Sequence, residues 1–167
     1  MRKLLLPIAA FGLLVTGCSS EASDVSAPAE SSAVSGTSST QPAATTNEVA
    51  KAIQAKIPQA TKVVEITEEN DPNNLFGRPT GYSQATMIVD KRADCDAGLG
   101  VDCGAVIELW PSEAAANKRK AYIQSILEDS PIFGSEYDTV NGPMLLRVTG
   151  NLKPSAAKAY EQAFTEQ

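Results

Sequence analysis

Apolar and polar positions repeat with the periods of helices and strands from residue 47 onward. Val49, Ile53 and Ile57 lie four residues apart, which places them on one helical face, and Pro58 ends that helix. The segments "TKVVEIT" and "SQATMIVDK" are β-branched or alternate apolar with polar residues, as half-buried strands do. "AVIELW" predicts a third strand, which we expect to pair with the second as an antiparallel hairpin with a long loop.

A second helix is predicted after the third strand. Ser112 is placed to cap its N-terminus, where Glu113 is favourable at the positive helix end. Its expected buried stripe consists of Ala116, Ile123, Ile126 and Leu127. Its basic run, expected to be mostly solvated, is Lys118, Arg119 and Lys120. A nucleic-acid contact is the alternative for this run, but the net charge of −6 argues against it.

The sequence "SEYDTVNGPMLLRVTG" predicts a β-hairpin with Asn141 and Gly142 at the centre of a type I′ turn. This register places Glu136 opposite Arg147, as a cross-strand ion pair worth about 0.2–1 kcal/mol. A ligand-binding role for Arg147 is the less favoured alternative. The core face would carry Tyr137, Thr139, Met144, Leu146 and Val148. A last helix, "LKPSAAKAYEQAF", has Pro154 in its first turn.

The predicted order is therefore α-β-β-β-α-β-β-α over residues 47–167, which fits one domain. Hairpin connections dominate, and they favour a mainly antiparallel sheet. We expect an α+β fold of two layers, in which about three helices lie on one face of about five strands.

The N-terminal residues have the plan of a secretory signal. Arg2 and Lys3 precede a mostly apolar segment of twelve residues, Leu4 to Val15, too short for a membrane-spanning helix, which needs about 20. "VTGC" resembles the lipobox of bacterial lipoproteins, in which small residues precede an obligatory cysteine. The resemblance implies a signal peptide over residues 1–17, acyl chains such as palmitate on Cys18, and anchoring to the extracytoplasmic side of the cell membrane. A soluble secreted protein is the alternative.

Residues 18–46 begin with this cysteine and continue mainly as Ser, Thr, Ala and Pro. Such a composition buries too little apolar surface to offset the entropy of ordering. We therefore expect a disordered tether between the lipid and the domain.

With Cys18 carrying lipid, Cys95 and Cys103 of "CDAGLGVDC" remain as a pair in an oxidising compartment. We expect a structural disulfide that closes the connection between the second and third strands. Asp94, Asp96 and Asp102 in this region are weak calcium candidates, because "D-x-D-x-G" begins like an EF-hand loop. The match then fails at its third ligand position and at the following glycine, so solvated turn aspartates are the better account.

The chain contains no histidine, which excludes Ser-His-Asp and Cys-His catalysis and the usual mixed zinc sites. It also lacks the common phosphate-loop, H-E-x-x-H and G-x-S-x-G motifs. Paired carboxylates in "EITEEND" could hydrolyse glycosides, but the single Trp offers little for a sugar cleft. We expect no enzyme activity and no cofactor.

Residues 70–82, "NDPNNLFGRPTGY", form the loop with most recognition potential. Its candidate binding residues are Leu75, Phe76, Arg78 and Tyr82. The favoured alternative is that Leu75 and Phe76 fill the edge of the core. Together with "ELWPSEAAANKRKAYIQ", "EYDTVNGPMLLRV" and "LKPSAAKAYEQAF", this loop resembles a group of small uncharacterised lipoproteins of high-GC Gram-positive bacteria. That resemblance implies a lipid-anchored surface protein with one domain and brings no activity.

The sequence thus predicts a non-enzymatic binding or interaction module at the cell envelope. Its expected contacts are the membrane, through lipid on Cys18, and an envelope or protein partner, with no nucleic acid. A small-ligand binder or sensor that uses residues 70–82 is the alternative. An envelope hydrolase is the least favoured.

Overall fold

Three helices and five strands make up the domain in the computed structural model, which describes residues 44–95 and 98–167. In chain order they are α1 (Thr46–Lys56), β1 (Ala60–Ile66), β2 (Gln84–Asp90), β3 (Gly104–Leu109), α2 (Glu113–Asp129), β4 (Glu136–Asn141), β5 (Met144–Thr149) and α3 (Pro154–Thr165). The strands form one antiparallel sheet in the order β1-β2-β3-β5-β4. The predicted α+β class and element order are confirmed.

The helices begin where the sequence carries capping residues. Thr45 accepts a hydrogen bond from the backbone N–H of Glu48 at 3.2 Å, and Glu48 accepts one in return from the Thr45 backbone, which completes a capping box. Helix α1 therefore starts at Thr46, one residue before the predicted domain boundary. Ser112 caps α2 as predicted, by accepting from the backbone N–H of Ala115.

The prediction of two layers with all helices on one face is wrong. Helices α1 and α3 pack on one face of the sheet, where Ile53 and Phe164 contact Ile107 and Leu146 within one apolar cluster. Helix α2 covers the opposite face, with Ile123 in a second cluster. The central strands carry consecutive buried apolar residues rather than alternating ones, and such runs require cover on both faces.

The β4–β5 hairpin has a different register from the predicted one. Gly142 and Pro143 form the two-residue turn, and Asn141 pairs with Met144. Gly142 has φ 55°, as expected for the first central position of a type II′ turn. The predicted register placed Pro143 in the closing pair, where it would have to donate a backbone hydrogen bond, and proline has no N–H.

The predicted disulfide between Cys95 and Cys103 is confirmed. It joins an exposed cysteine after β2 to a buried one immediately before β3, so it staples the β2–β3 connection to the core. Cys18, the tether up to residue 43 and Asp96 lie outside the described residues. None of the helices in residues 44–95 and 98–167 is long and apolar enough to cross a membrane.

We predict that replacing both Cys95 and Cys103 with serine lowers the free energy of unfolding by about 2–3 kcal/mol, because the nine-residue ring no longer restricts the unfolded chain. Urea denaturation with and without a thiol reductant measures this difference. The reductant should destabilise the unsubstituted protein by a similar amount and leave the double variant unchanged. Equal midpoints for all four samples would contradict a stabilising role for the disulfide.

Candidate functional site

A groove of about 570 Å³ lies between the loop of residues 70–82 and helix α2. Its volume is within the range of about 300–1,000 Å³ that is usual for ligand sites. The residues that define it are Leu75 and Thr80 from the loop, Trp110 after β3, and Lys118, Arg119 and Tyr122 from α2. The groove therefore combines apolar and aromatic walls with two cations on its α2 side.

Asp71 holds the 70–82 loop in a single arrangement. Its Oδ2 accepts hydrogen bonds from the backbone N–H groups of Leu75 at 2.6 Å and Phe76 at 2.8 Å. The hydroxyl of Tyr82 donates to its Oδ1. Burial acts to raise the pKa of Asp71, but these hydrogen bonds outweigh it and lower that pKa below the usual value. The carboxylate therefore stays ionised at neutral pH and keeps the loop closed.

Three of the four predicted loop residues do not line the groove. Tyr82 is only 1% exposed, and its ring packs edge to face on Phe76 and on Trp110, with centroids 6.3 and 5.8 Å apart. Burial and the bond to Asp71 raise the pKa of the Tyr82 hydroxyl. Arg78 is exposed and donates to Asn74 Oδ1 at 2.6 Å within the loop. Only Leu75 reaches the groove, while Phe76 and Tyr82 fill the edge of the core.

The loop also depends on the absence of a side chain at Gly81. A Cβ there would overlap the backbone carbonyl of Leu75. The backbone N–H of Gly81 donates to the carbonyl of Arg78 at 3.0 Å, so the chain turns back tightly at this point. This close approach forms the loop wall of the groove.

A buried ion network lies next to the groove, between α2 and the sheet. Glu108 of β3 accepts hydrogen bonds from Arg147 Nη1 at 2.9 Å and from Trp110 Nε1 at 3.0 Å. Arg147 also donates to both carboxylate oxygens of Glu136 at 2.8 Å. Burial acts to lower the pKa of Arg147, but its two carboxylate partners raise it. The predicted Glu136–Arg147 pair is therefore confirmed, although Asp138 rather than Glu136 lies directly opposite Arg147.

Arg119 is not the solvated side chain that we predicted. Its side chain is 13% exposed, with Nε 3.8 Å from Glu108 Oε2. Its Nη2 lies 3.5 Å from Asn73 Oδ1, and its Cζ lies 5.8 Å from the centre of the Tyr122 ring. The buried Nε makes no hydrogen bond with any described residue. The sequence did contain a signal for this position, because Arg119 lies three residues after Ala116 on the buried stripe of α2.

The calcium candidates do not form a metal centre within the described residues. Asp94 and Asp102 line a separate shallow depression beside Phe133, and Asp96 is outside the described residues. Across residues 44–95 and 98–167 there is no cluster of three acidic or cysteine side chains that could hold a metal ion. The nearby Asp90 is engaged by Arg92 instead, at 2.8 Å from Nε to Oδ1.

Asp138 lies beside this network and has an incomplete set of partners among the described residues. Gln124 Nε2 of α2 donates to its Oδ2 at 2.5 Å, but its buried Oδ1 has no partner among the described residues. Burial and the nearby charge of Glu136 raise the pKa of Asp138 to about 6. Ionisation of Asp138 therefore opposes the packing of α2 on β4.

Comparisons of the chain with protein-family models, curated proteins and solved structures gave no significant match. The resemblance of "VTGC" to a lipobox, and of the later segments to small lipoproteins, stays a prediction from the sequence.

We predict that Asp138→Asn raises the free energy of unfolding above pH 6 by about 1–3 kcal/mol, because it removes an ionisation that the folded state disfavours. Between about pH 4 and 6 the folded protein keeps a proton that the unfolded chain, with its ordinary pKa of 3.8, has lost. The unsubstituted protein therefore gains stability as the pH falls through this window, and the advantage of the variant should disappear near pH 4.

Urea denaturation across this pH range measures the difference. Asp129→Asn is the matched control, since Asp129 is exposed at the end of the same helix and should change stability by no more than about 0.5 kcal/mol. An Asp138→Asn variant that is less stable than the parent at pH 8 would contradict the prediction.

Proposed function

We propose that this protein is a lipid-anchored, extracytoplasmic binding module of the cell envelope, and that the groove between residues 70–82 and α2 is its binding surface. The anchor is the acylated Cys18, and the following tether places the domain away from the membrane. The observation that carries the binding proposal is the groove itself, with apolar walls and two cations on a rigid scaffold.

The rigidity of both walls supports a binding role. Asp71 fixes the loop wall through its backbone hydrogen bonds, and α2 packs against the sheet through the buried residues Ala116 and Ile123. A preformed groove loses little conformational entropy when it takes up a partner, so more of the contact energy contributes to affinity.

Exposed apolar groups support a partner from the envelope. Tyr122 is 57% exposed at the groove, and Ile132 and Phe133 are exposed just beyond the other end of α2. Exposed clusters of large apolar groups often mark interaction surfaces. Exposed apolar side chains therefore lie both at the middle of α2, beside the groove, and in the turn that follows the helix.

The chemistry of the groove supports a non-enzymatic role. Among the described residues that line it, there is no carboxylate, cysteine or histidine to act as a general base or a strong nucleophile. Arg119 and Lys118 carry N–H donors and no acceptor, so they can bind and orient an anion. Binding is the activity that these side chains can perform.

We predict that Cys18 carries the lipid. When the full chain is expressed in a bacterium and labelled with palmitate, the label and the membrane-fraction location should both be lost in Cys18→Ala. The variant with serine at positions 95 and 103 is the control, and it should keep the label. Label retained by Cys18→Ala would remove the anchor from the proposal.

We also predict that the groove captures the envelope partner. Tyr122→Ala and Lys118→Gln should each reduce the amount of partner crosslinked to the tethered protein on intact cells by about tenfold, as for a contact of 1–2 kcal/mol. The matched controls are Tyr137→Ala and Lys51→Gln, which alter an exposed tyrosine and an exposed lysine away from the groove. Equal capture by all four variants would refute the groove as the binding surface.

A further inference from the structure

We propose that the groove recognises a carboxylate carried next to an apolar or aromatic group, as in an acylated amino acid or the C-terminal end of a peptide. The carboxylate binds Arg119 and Lys118, and the apolar group lies against Leu75, Trp110 and Tyr122. This inference rests on the proposed function, because it names the chemistry of the ligand for the same groove.

The first support is the incomplete pairing of Arg119. Each oxygen of the nearby acid Glu108 accepts a hydrogen bond from another residue, Arg147 or Trp110, and Arg119 Nε lies 3.8 Å from Glu108 Oε2, beyond hydrogen-bond distance. Its contact with Asn73 is 3.5 Å long. A guanidinium has five N–H donors in a planar fork, and this geometry matches the two oxygens of a carboxylate. Arg119 thus lines the groove as a largely desolvated cation, and its Nε–H makes no hydrogen bond with any described residue.

The second support is that Arg119 is already fixed in place. The Tyr122 ring lies beneath its guanidinium, and the backbone of α2 holds both residues one turn apart. Lys118 adds a second positive charge on the same wall and is exposed, so it can move to meet a ligand. A carboxylate here would find two cations without any rearrangement of the helix.

The third support is the apolar surface beside these cations. Leu75 and Pro79 of the loop face the side of the groove that Trp110 and Pro111 close from the sheet. The groove is too large for a bare anion and suits an anion that carries an apolar body. Because the chain has a net charge of −6, its overall field repels anions, so selectivity for an acid has to arise from contacts at short range.

The single tryptophan of the chain makes this testable, because Trp110 lines the groove and no second tryptophan contributes to the emission. The probes are N-acetyl-phenylalanine and a short neutral peptide ending in phenylalanine, each compared with its C-terminal amide. We expect a saturable change in Trp110 emission with an acid, and at least about tenfold weaker binding of the matching amide, as for a charged hydrogen-bonded pair. A response to the peptide alone would identify a chain terminus as the source of the carboxylate, and a response to both would identify the shared group.

Arg119→Gln and Lys118→Gln should lower the affinity for the acid probes towards that for the amides. Lys51→Gln should leave the affinity for the acid probes unchanged. Glu108 keeps Arg147 and Trp110 in Arg119→Gln, and circular dichroism checks that the variant folds. Equal binding of acid and amide, or no saturable change with either acid, would overturn the inference. The crosslinking experiment on intact cells uses no such probe. It therefore tests whether the groove is a binding surface independently of whether the groove prefers a carboxylate.

Discussion

The carboxylate of Glu108 is the constraint on which the rest of the α2 side of the molecule depends. It lies fully buried on the central strand β3, where an unpaired charge would cost several kcal/mol. Arg147 and the indole of Trp110 both donate hydrogen bonds to this carboxylate. The buried charge of Glu108 therefore links β3 to β5 and also fixes the position of the Trp110 ring. Trp110 in turn forms one wall of the groove. The groove is therefore positioned by a buried acid that does not line it.

Buried charged side chains are paired differently on the two faces of the sheet. On the α1/α3 face, Asp90 at the end of β2 accepts a hydrogen bond from the hydroxyl of Tyr160 and pairs with Arg92. Both oxygens of the Asp90 carboxylate have a hydrogen-bond partner in this arrangement. On the α2 face, two acids share Arg147 and a further arginine is left incompletely paired. Two buried side-chain atoms without a hydrogen-bond partner among the described residues, Arg119 Nε and Asp138 Oδ1, both lie on this face.

Most of the fold could be predicted from the sequence, because element order follows from apolar spacing and capping residues. The hairpin register could not be read from Asn141 and Gly142 alone, since the missing N–H of Pro143 decided which residues close the turn. The placement of α2 was missed for another reason. Met87 and Ile88, like Leu145 and Leu146, are adjacent apolar residues on opposite faces of the sheet, and half-buried strands do not have that pattern.

The candidate site was predictable only in part, because it combines segments that are distant in sequence. The 70–82 loop lines the groove, but its aromatic residues Phe76 and Tyr82 pack in the core, and the loop contributes small, polar and apolar groups to the groove instead. Arg119 was visible as a helical position but not as a groove residue, since its surroundings depend on which sheet face α2 covers. A charge on the buried stripe of a helix needs a partner. Arg119 Nε lies 3.8 Å from Glu108 and makes no hydrogen bond with any described residue, so this donor has no partner within the described part of the domain.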